Sequence, residues 1–384
     1  MVKSLVVGIV GAGILLTGCS SDQAEPAAST SPPASAASPM ALPAQTTQAL
    51  EAQLTKTMAR NDVPGAAVEV CVPGYETWAT AEGLADIESQ TQMTTDMYWP
   101  LRSVTKSYTV TMIMQLVDEG KISLDDTIDQ WIPDVPNGDQ ITLRQLADMS
   151  SGAPEYTTQA WIEDYVADPE RAFTTEELIA YALAEPAQFA PGEQKVYTNT
   201  NTLLLGEVVA QEYGQPFEEV ITEQIIEPLG LTQTRYETAV DSWPGDHPTG
   251  YTLGDDGEPE PEPNNFTVLG PAGAMTSTLG DMCQWATALG SGALLEADTQ
   301  QTRLEGAPLD KGPEYDEYLV GMGSLEGWVG HTGEGFGHTV LVMHNAESGA
   351  SVAIGMNISN LGKHVPTRYF RKIAPIVDSV PPVG

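Results

Sequence analysis

Basic residues are scarce in this sequence. Among its 384 residues, 16 Lys and Arg stand against 53 Asp and Glu, which gives a formal net charge of −37. A protein of that charge repels the phosphates of nucleic acids and the headgroups of anionic lipids, which argues against both as direct partners. Charged residues amount to only 18% while hydrophobic residues reach 41%, so the chain has enough apolar surface for a large core and is not disordered as a whole.

Cysteine is also rare. The three cysteines, Cys19, Cys71 and Cys283, are too few for a disulfide framework or a cysteine-rich metal site. Cys71 lies in an apolar run and Cys283 in a predicted helix, and the sequence leaves open whether they pair or stay as two buried thiols. His338 and His344 have no carboxylate at metal-binding spacing, and no phosphate-cradling glycine motif is present. We therefore expect neither a metal nor a cofactor.

Long hydrophobic runs are missing apart from Leu5 to Leu16, which is too short for a membrane-spanning helix of about 20 residues. The run ends in Leu16-Thr17-Gly18-Cys19, which resembles the lipobox of bacterial lipoproteins. The resemblance implies a signal peptide at 1–18, a fatty acid on Cys19 and a place on the outer face of the bacterial cell membrane; the alternative is an ordinary secretory signal. Residues 19–43, rich in Ala, Ser and Pro, are predicted to form a disordered tether.

Residues 44–380 are predicted to form one folded body with strands at both ends and helices between them. This order predicts an α+β fold: an antiparallel sheet from both termini, flanked by helices, with a mostly helical region inserted. The α/β part covers about 44–119 and 265–380 and the helical part about 120–264, in which the acidic, proline-rich stretch 255–263 is predicted to be a surface loop. The predicted helices lie at 44–61, 103–119, 141–149, 174–185, 200–213, 216–227, 278–290 and 364–378, and the strands at 65–72, 75–81, 319–324, 327–332, 337–344 and 350–358.

A serine and a lysine three residues apart, Ser103 and Lys106, open a predicted buried helix. Side chains at positions i and i+3 share one helix face, so the Lys106 amine reaches the Ser103 hydroxyl. The helix N-terminus favours an oxyanion formed there, and burial lowers the pKa of a lysine that acts as a base. A capping serine beside a surface lysine gives the same sequence pattern, so the pair alone is weak evidence for a catalytic site. No Gly-x-Ser-x-Gly elbow supplies a rival nucleophile.

Further motifs follow in order along the chain. They are Ile141 to Tyr156, Tyr197-Thr198-Asn199, Pro271 to Ser277 and His331-Thr332-Gly333. Together with Ser103 to Lys106, their order and spacing resemble the serine β-lactamase and D,D-peptidase family, within it the class C-like branch with the D-alanyl-D-alanine carboxypeptidases. The resemblance covers roughly residues 45–380. It implies the β-lactamase/transpeptidase-like fold and a hydrolase that forms an acyl-enzyme.

The resemblance also assigns roles to the matching residues. Ser103 becomes the acylated nucleophile and Lys106 and Tyr197 its proton-transfer partners, with the choice of base left open. The oxyanion hole falls to the backbone N–H groups of Ser103 and Glu334. Gly333 is expected to let the substrate backbone approach the sheet edge. The expected substrate-binding residues are Asn199, His331, Thr332, Gly333 and Glu334.

Two departures from the family pattern bear on the substrate. D,D-carboxypeptidases of this branch hold the substrate's terminal carboxylate with an arginine just before the triplet, but Gly321 to Gly330 contains neither Arg nor Lys. Glu334 adds a carboxylate where small or neutral residues are usual, and it repels an anionic substrate unless its side chain points away. Two residues argue for caution: Thr332 matches a threonine that helps to hold carboxylates, and Arg303 is a distant cation that folding would have to bring into the site.

These observations predict a lipid-anchored serine hydrolase of the cell envelope that acts on an amide or ester, either D-alanyl-D-alanine carboxypeptidase-like or an esterase. The expected substrate is a small molecule or a peptidoglycan peptide. One alternative is a β-lactamase on the same machinery. Another is a non-catalytic penicillin-recognising or peptidoglycan-binding protein, but such a protein has no need of the full set Ser103, Lys106, Tyr197 and Asn199.

Overall fold

The computed structural model describes residues 38–359 and 364–383. The predicted signal peptide, Cys19 and most of the predicted tether lie outside the described residues. The last residues of that tether are not disordered as predicted, because the Met40 backbone N–H donates to the Gly74 carbonyl at 3.1 Å and Leu42 is buried. Backbone hydrogen bonds and an apolar side chain therefore join this segment to the body, whose described residues from Pro39 onward belong to one compact unit.

Strands from both ends of the chain form the central antiparallel sheet, as predicted. The strands are β1 (Gly65–Cys71), β2 (Trp78–Asp86), β3 (Thr91–Gln92), β4 (Trp99–Pro100), β5 (Arg235–Tyr236), β6 (Tyr251–Leu253), β7 (Pro259–Pro261), β8 (Met275–Ser277), β9 (Glu317–Tyr318), β10 (Gly323–Leu325), β11 (Trp328–Gly335), β12 (His338–His344) and β13 (Ser351–Met356). In the described residues the large sheet has the order β3-β2-β1-β13-β12-β11-β10-β9. At its centre β1 pairs with β13, from Ala66 opposite Met356 to Cys71 opposite Ser351.

Helices cover the sheet and fill the inserted region. They are α1 (Ala44–Asn61), α2 (Thr105–Asp118), α3 (Leu143–Ala147), α4 (Gln159–Ala167), α5 (Thr175–Leu183), α6 (Asn199–Tyr213), α7 (Phe217–Ile221), α8 (Glu227–Leu229), α9 (Leu279–Ser291), α10 (Ala297–Arg303) and α11 (Val365–Asp378). A π turn, Thr222–Ile226, joins α7 to α8, so the predicted helix at 216–227 is one irregular helical run. The sequence pattern predicts neither α4 nor α10, which are only 9 and 7 residues long.

Two hydrophobic cores lie on the two faces of the sheet. Successive side chains of a strand point to opposite faces, so Val340 and Val342 of β12 enter the larger core with α2 and α9. Their neighbours Leu341 and Met343 enter the smaller core with α1 and α11. Helix α2 lies inside the larger core and is buried almost all round, which holds its N-terminal turn firmly in place.

A disulfide links the sheet to a helix of the larger core. Cys71 at the end of β1 and Cys283 in α9 are bonded, with their Cα atoms 6.6 Å apart. The sequence left this pairing open because 212 residues separate the two cysteines. The structure therefore shows a disulfide and not two free buried thiols.

Two local predictions are wrong in detail. The acidic stretch 255–263, predicted to be a loop, contains β7, which pairs with β6 in an isolated two-stranded hairpin. Prolines fit this hairpin because the unpaired side of an edge strand needs no N–H donor. The strand predicted at 319–324 begins only at Gly323.

None of the helices in the two described ranges combines the length and the apolar character that crossing a bilayer requires.

Candidate active site

Ser103 lies in a 3₁₀ turn, Arg102–Val104, that leads directly into α2. Its side chain is half-buried, and the Lys106 Nζ donates a hydrogen bond to its Oγ at 2.9 Å. The Nζ also donates to the Ala272 carbonyl at 3.0 Å, which fixes the amine from the opposite wall of the site. The structure thus brings together the serine and lysine that the i, i+3 spacing pairs.

Lys106 is fully buried, and this environment changes its acidity. Burial lowers the pKa of Lys106 to about 7, because an ammonium loses its hydration there. The carboxylate of Glu155 opposes this effect in part. Near neutral pH a large fraction of the amine is therefore unprotonated and able to accept the Ser103 proton.

Tyr197 stands on the other side of the lysine. The Lys106 Nζ lies 5.0 Å from the centre of its ring. Burial raises the pKa of Tyr197 well above its usual value, and the nearby Ser103 hydroxyl offsets only part of this, without reaching good hydrogen-bond geometry to the phenol oxygen. The two pKa shifts have opposite directions, so they favour Lys106 as the base and leave Tyr197 a neutral phenol that donates or relays a proton.

A carboxylate without a role in the sequence analysis, Glu155, adjoins this pair. Its Oε2 accepts the backbone N–H of Asn199 at 2.7 Å and the Asn199 side-chain amide at 3.3 Å. Burial raises the pKa of Glu155, while the Asn199 N–H and the charge of Lys106 lower it. Glu155 lies in the motif Ile141 to Tyr156, which was the available signal. The substrate-binding Asn199 of the sequence analysis is thus held at the start of α6 by this carboxylate.

The third wall of the site is β11, where two tyrosines missed by sequence reasoning hold the predicted residues. The Thr332 backbone N–H donates to the Tyr315 hydroxyl at 2.7 Å, and the two side-chain hydroxyls lie 2.8 Å apart. His331 is completely buried, with Nε2 3.1 Å from the Tyr318 hydroxyl, and burial lowers its pKa to about 3. A neutral imidazole with no exposed surface supports the strand and does not face the substrate, contrary to the role expected for His331.

Gly333 and Glu334 complete this strand beside the nucleophile turn. A Cβ atom on Gly333 would lie 2.3 Å from the Leu101 carbonyl oxygen. The glycine is therefore required because the nucleophile turn packs against β11; the substrate approach inferred from the sequence stays a prediction. The side chain of Glu334 is half-buried, with one carboxylate oxygen 4.0 Å from His364 Nδ1.

Neither arginine near this region offers a carboxylate clamp. Arg303 is 1% exposed and donates to the Thr111 hydroxyl at 2.7 Å, two helical turns along α2 from the nucleophile. Arg102 is also 1% exposed. The distant cation considered in the sequence analysis therefore does not enter the site.

One group of three potential metal ligands occurs in the described ranges, namely Glu69, Cys71 and Cys283, whose ligand atoms lie within 4.8 Å of one another. Both sulfur atoms belong to the disulfide and are not thiolates. This group therefore does not offer a cysteine-based metal site, and it lies on β1 and α9, apart from Ser103.

The chain is similar to several known proteins. A family model described as "Beta-lactamase" matches residues 50–372. The chain is 28% identical over 330 residues to a D-aminopeptidase of Brucella anthropi, covering 81% of this chain and 61% of that protein. It is 29% identical over 211 residues to the D-alanyl-D-alanine-carboxypeptidase/endopeptidase AmpH of Escherichia coli K12, covering 53% of this chain and 52% of that protein. The chain thus spans about half to three fifths of the length of these relatives.

The fold also recurs among solved structures. The crystal structure of D-amino acid amidase from Ochrobactrum anthropi SV3 with D-phenylalanine superposes with a TM-score of 0.78 at 25% identity, over 87% of this chain and 99% of that chain. This likeness confirms the fold that the sequence predicts.

Proposed function

The chain belongs to the beta-lactamase family of serine hydrolases, and we propose that it cleaves small amides and esters that carry no free carboxylate next to the scissile bond. The observation that carries this proposal is the Lys106 Nζ at 2.9 Å from the Ser103 Oγ, with a pKa lowered to about 7. A serine hydroxyl is a weak nucleophile until a neighbouring group accepts its proton.

The geometry supports a two-step reaction. The Ser103 Oγ attacks the carbonyl carbon while its proton passes to the Lys106 Nζ, and the C–N or C–O bond to the leaving group breaks. The leaving amine or alcohol takes a proton from Lys106 or from the Tyr197 hydroxyl, and water then releases the acyl group by the same proton transfers in reverse. The backbone N–H groups of Ser103 and Glu334 belong to adjoining segments and would stabilise the oxyanion.

The charges around the site support a substrate class. The site lacks the arginine clamp just before the triplet, and Glu155 places a half-buried carboxylate beside Lys106 and Asn199. A buried carboxylate favours a cationic partner over an anionic one. The D-aminopeptidase and the D-amino acid amidase to which the chain is similar are named for such substrates, which carry a free amino group. We therefore place amides of D-amino acids ahead of peptides ending in D-Ala-D-Ala.

Steady-state kinetics on a panel of substrates tests this order. The panel contains a D-amino acid amide, a neutral acyl ester, a peptide ending in D-Ala-D-Ala and a β-lactam, and Ser103→Ala is the control for background hydrolysis. A lost charge-assisted hydrogen bond to a carboxylate lowers binding by roughly ten- to a hundredfold, so the first two substrates should have the higher kcat/KM. A clear preference for the D-Ala-D-Ala peptide would instead make the protein a carboxypeptidase.

A single substitution tests the role of Glu155. In Glu155→Gln the shape and the contact to Asn199 are kept while the negative charge is lost. We expect kcat/KM for the cationic amide to fall by about tenfold and that for the neutral ester by less than about threefold. Equal losses on both substrates would show that Glu155 acts on the catalytic groups and not on the substrate's amino group.

We further propose that the enzyme is exported and held at the outer face of the cell membrane by a fatty acid on Cys19. The lipobox-like sequence supports this, and the Cys71–Cys283 disulfide is typical of proteins outside the reducing cytosol. Cell fractionation of Cys19→Ala tests it, with Ser20→Ala as the matched control. We expect Cys19→Ala alone to appear in the medium; its retention with the membranes would contradict a lipid anchor.

A further inference from the structure

The residue before the nucleophile has an unusual backbone and an unusual environment. Arg102 has a φ of 49°, in the left-handed region that favours glycine. Its side chain is only 1% exposed, although arginine is among the residues least often buried. Both features are unfavourable in themselves, so the contacts of the guanidinium must compensate for them.

The hydrogen bonds of the guanidinium both go to one backbone turn. The Arg102 Nε donates to the Gly335 carbonyl at 3.0 Å, and Nη2 lies 3.4 Å from the Phe336 carbonyl that it donates to. The guanidinium carbon lies 5.1 Å from the centre of the Phe336 ring and 5.8 Å from that of Phe266. Burial lowers the pKa of Arg102 to about 9, and the nearby Glu262 carboxylate opposes this effect in part. Arg102 is therefore packed between two aromatic rings and bonded to one backbone turn.

That turn joins β11 to β12 and directly follows Glu334. Phe336 and Gly337 both have positive φ, at 46° and 73°, as in a tight two-residue hairpin turn; glycine adopts this conformation freely, but it is unfavourable for Phe336, which contacts with the rest of the protein must offset. Arg102 is the covalent neighbour of Ser103, and Gly335 is the covalent neighbour of Glu334. One side chain therefore connects the two backbone segments that carry the N–H groups assigned to the oxyanion hole.

We propose that Arg102 is a positioning residue: its guanidinium holds the Gly335–Phe336 turn, and with it the Glu334 backbone N–H, in register with the Ser103 backbone N–H. The inference rests on the proposed function, since it concerns the acylation step of that reaction. Oxyanion donors act mainly on the transition state, and removal of one donor typically costs 10²–10³ in kcat. Displacing a donor without removing it should cost less, about 10- to 100-fold in kcat, with KM changed by less than about threefold.

Three substitutions separate the guanidinium from the backbone strain. Arg102→Gly accepts the positive φ but lacks the side chain, Arg102→Met fills the space without hydrogen bonds, and Arg102→Lys keeps the charge without a fork that reaches both carbonyls. We expect the first two to lose kcat by 10- to 100-fold at nearly unchanged KM and Arg102→Lys to lose less. If Arg102→Gly or Arg102→Met does not fold, Arg102→Lys is the test. A lower kcat at nearly unchanged KM supports the proposal, and an unchanged kcat contradicts it.

Arg303→Met is the matched control, because Arg303 is equally buried but bonds to Thr111 in α2 instead of the β11–β12 turn. We expect it to lower the unfolding midpoint while kcat stays within about threefold. Equal kcat losses in Arg102→Met and Arg303→Met, or a loss confined to KM, would overturn the proposal. If mass spectrometry shows that the wild-type protein is neither acylated by the substrate panel nor phosphonylated by a fluorophosphonate with loss of fluoride, the proposed function fails. If wild type reacts and the Arg102 variants react equally fast, only this inference fails.

Discussion

Burial shifts the pKa values of Lys106 and Tyr197, the two residues beside Ser103, in opposite directions. Burial lowers the pKa of a group that is charged when protonated and raises that of a group charged when deprotonated. Lys106 is therefore brought towards neutrality at physiological pH, while Tyr197 is kept protonated far beyond it. Lys106 and Tyr197 therefore titrate as a coupled pair, in which the amine accepts a proton and the phenol donates one.

The pH dependence of turnover follows from this assignment. Only the unprotonated amine accepts the Ser103 proton, and its fraction grows as the pH rises through the Lys106 pKa of about 7. We therefore expect kcat/KM for a neutral ester to rise with pH and level off above about pH 8. Tyr197→Phe should keep this limb at a lower rate, and Lys106→Met should abolish turnover. A limb that disappears in Tyr197→Phe would make the tyrosine the base.

At the scale of elements, β1 and α9 are joined by a disulfide and by an acidic contact. Glu69 of β1 is buried next to Asp281 of α9, and burial together with the Asp281 carboxylate raises the pKa of Glu69 from 4.5 to about 7. The folded state therefore keeps a proton on Glu69 at a pH where the unfolded chain has lost it. The contribution of Glu69 to the free energy of unfolding therefore falls as the pH rises from about 4.5 through 7.

Replacement of Glu69 by glutamine tests this contact. Glu69→Gln cannot ionise, so it should be more stable than wild type at pH 8 by about 1–2 kcal/mol, with little difference at pH 5. Urea unfolding at the two pH values measures this, and Glu51→Gln, an exposed position on α1, is the control. A wild-type protein that gains stability from pH 5 to pH 8 relative to Glu69→Gln would contradict the raised pKa.

The elements also show how far the sequence alone reaches. Helix α1 was predictable to its last residue, because its apolar periodicity ends just before Pro64. The antiparallel sheet from both termini followed from the order of predicted strands and helices, and the Ser103–Lys106 pair followed from the i, i+3 spacing. Short α4 and the Cys71–Cys283 bond were not predictable, since tertiary contacts alone decide them. For the same reason, the roles of Glu155 and the buried Arg102 appear only in three dimensions.

For the whole molecule, the net charge of −37 acts on substrates before they bind. Such a charge attracts cations and repels anions over roughly the Debye length, which is about 30 Å at 0.01 M salt and about 8 Å at 0.15 M. The net charge of the protein therefore favours the same substrates as Glu155 does in the site. The two effects differ in their response to salt, because a partly buried contact is screened much less than a long-range field.

Three substrates of different charge therefore separate the contribution of the whole molecule from that of the site. Between about 0.01 M and 0.15 M salt, kcat/KM should fall severalfold for a cationic D-amino acid amide and stay level for a neutral ester. It should rise for a peptide ending in D-Ala-D-Ala, whose carboxylate the field repels. The preference that persists at high salt then comes from Glu155 and from the missing arginine. Glu155→Gln should remove the part that comes from Glu155 and leave the salt dependence of kcat/KM unchanged. Identical slopes for all three substrates would show that the acidic surface has no part in selection.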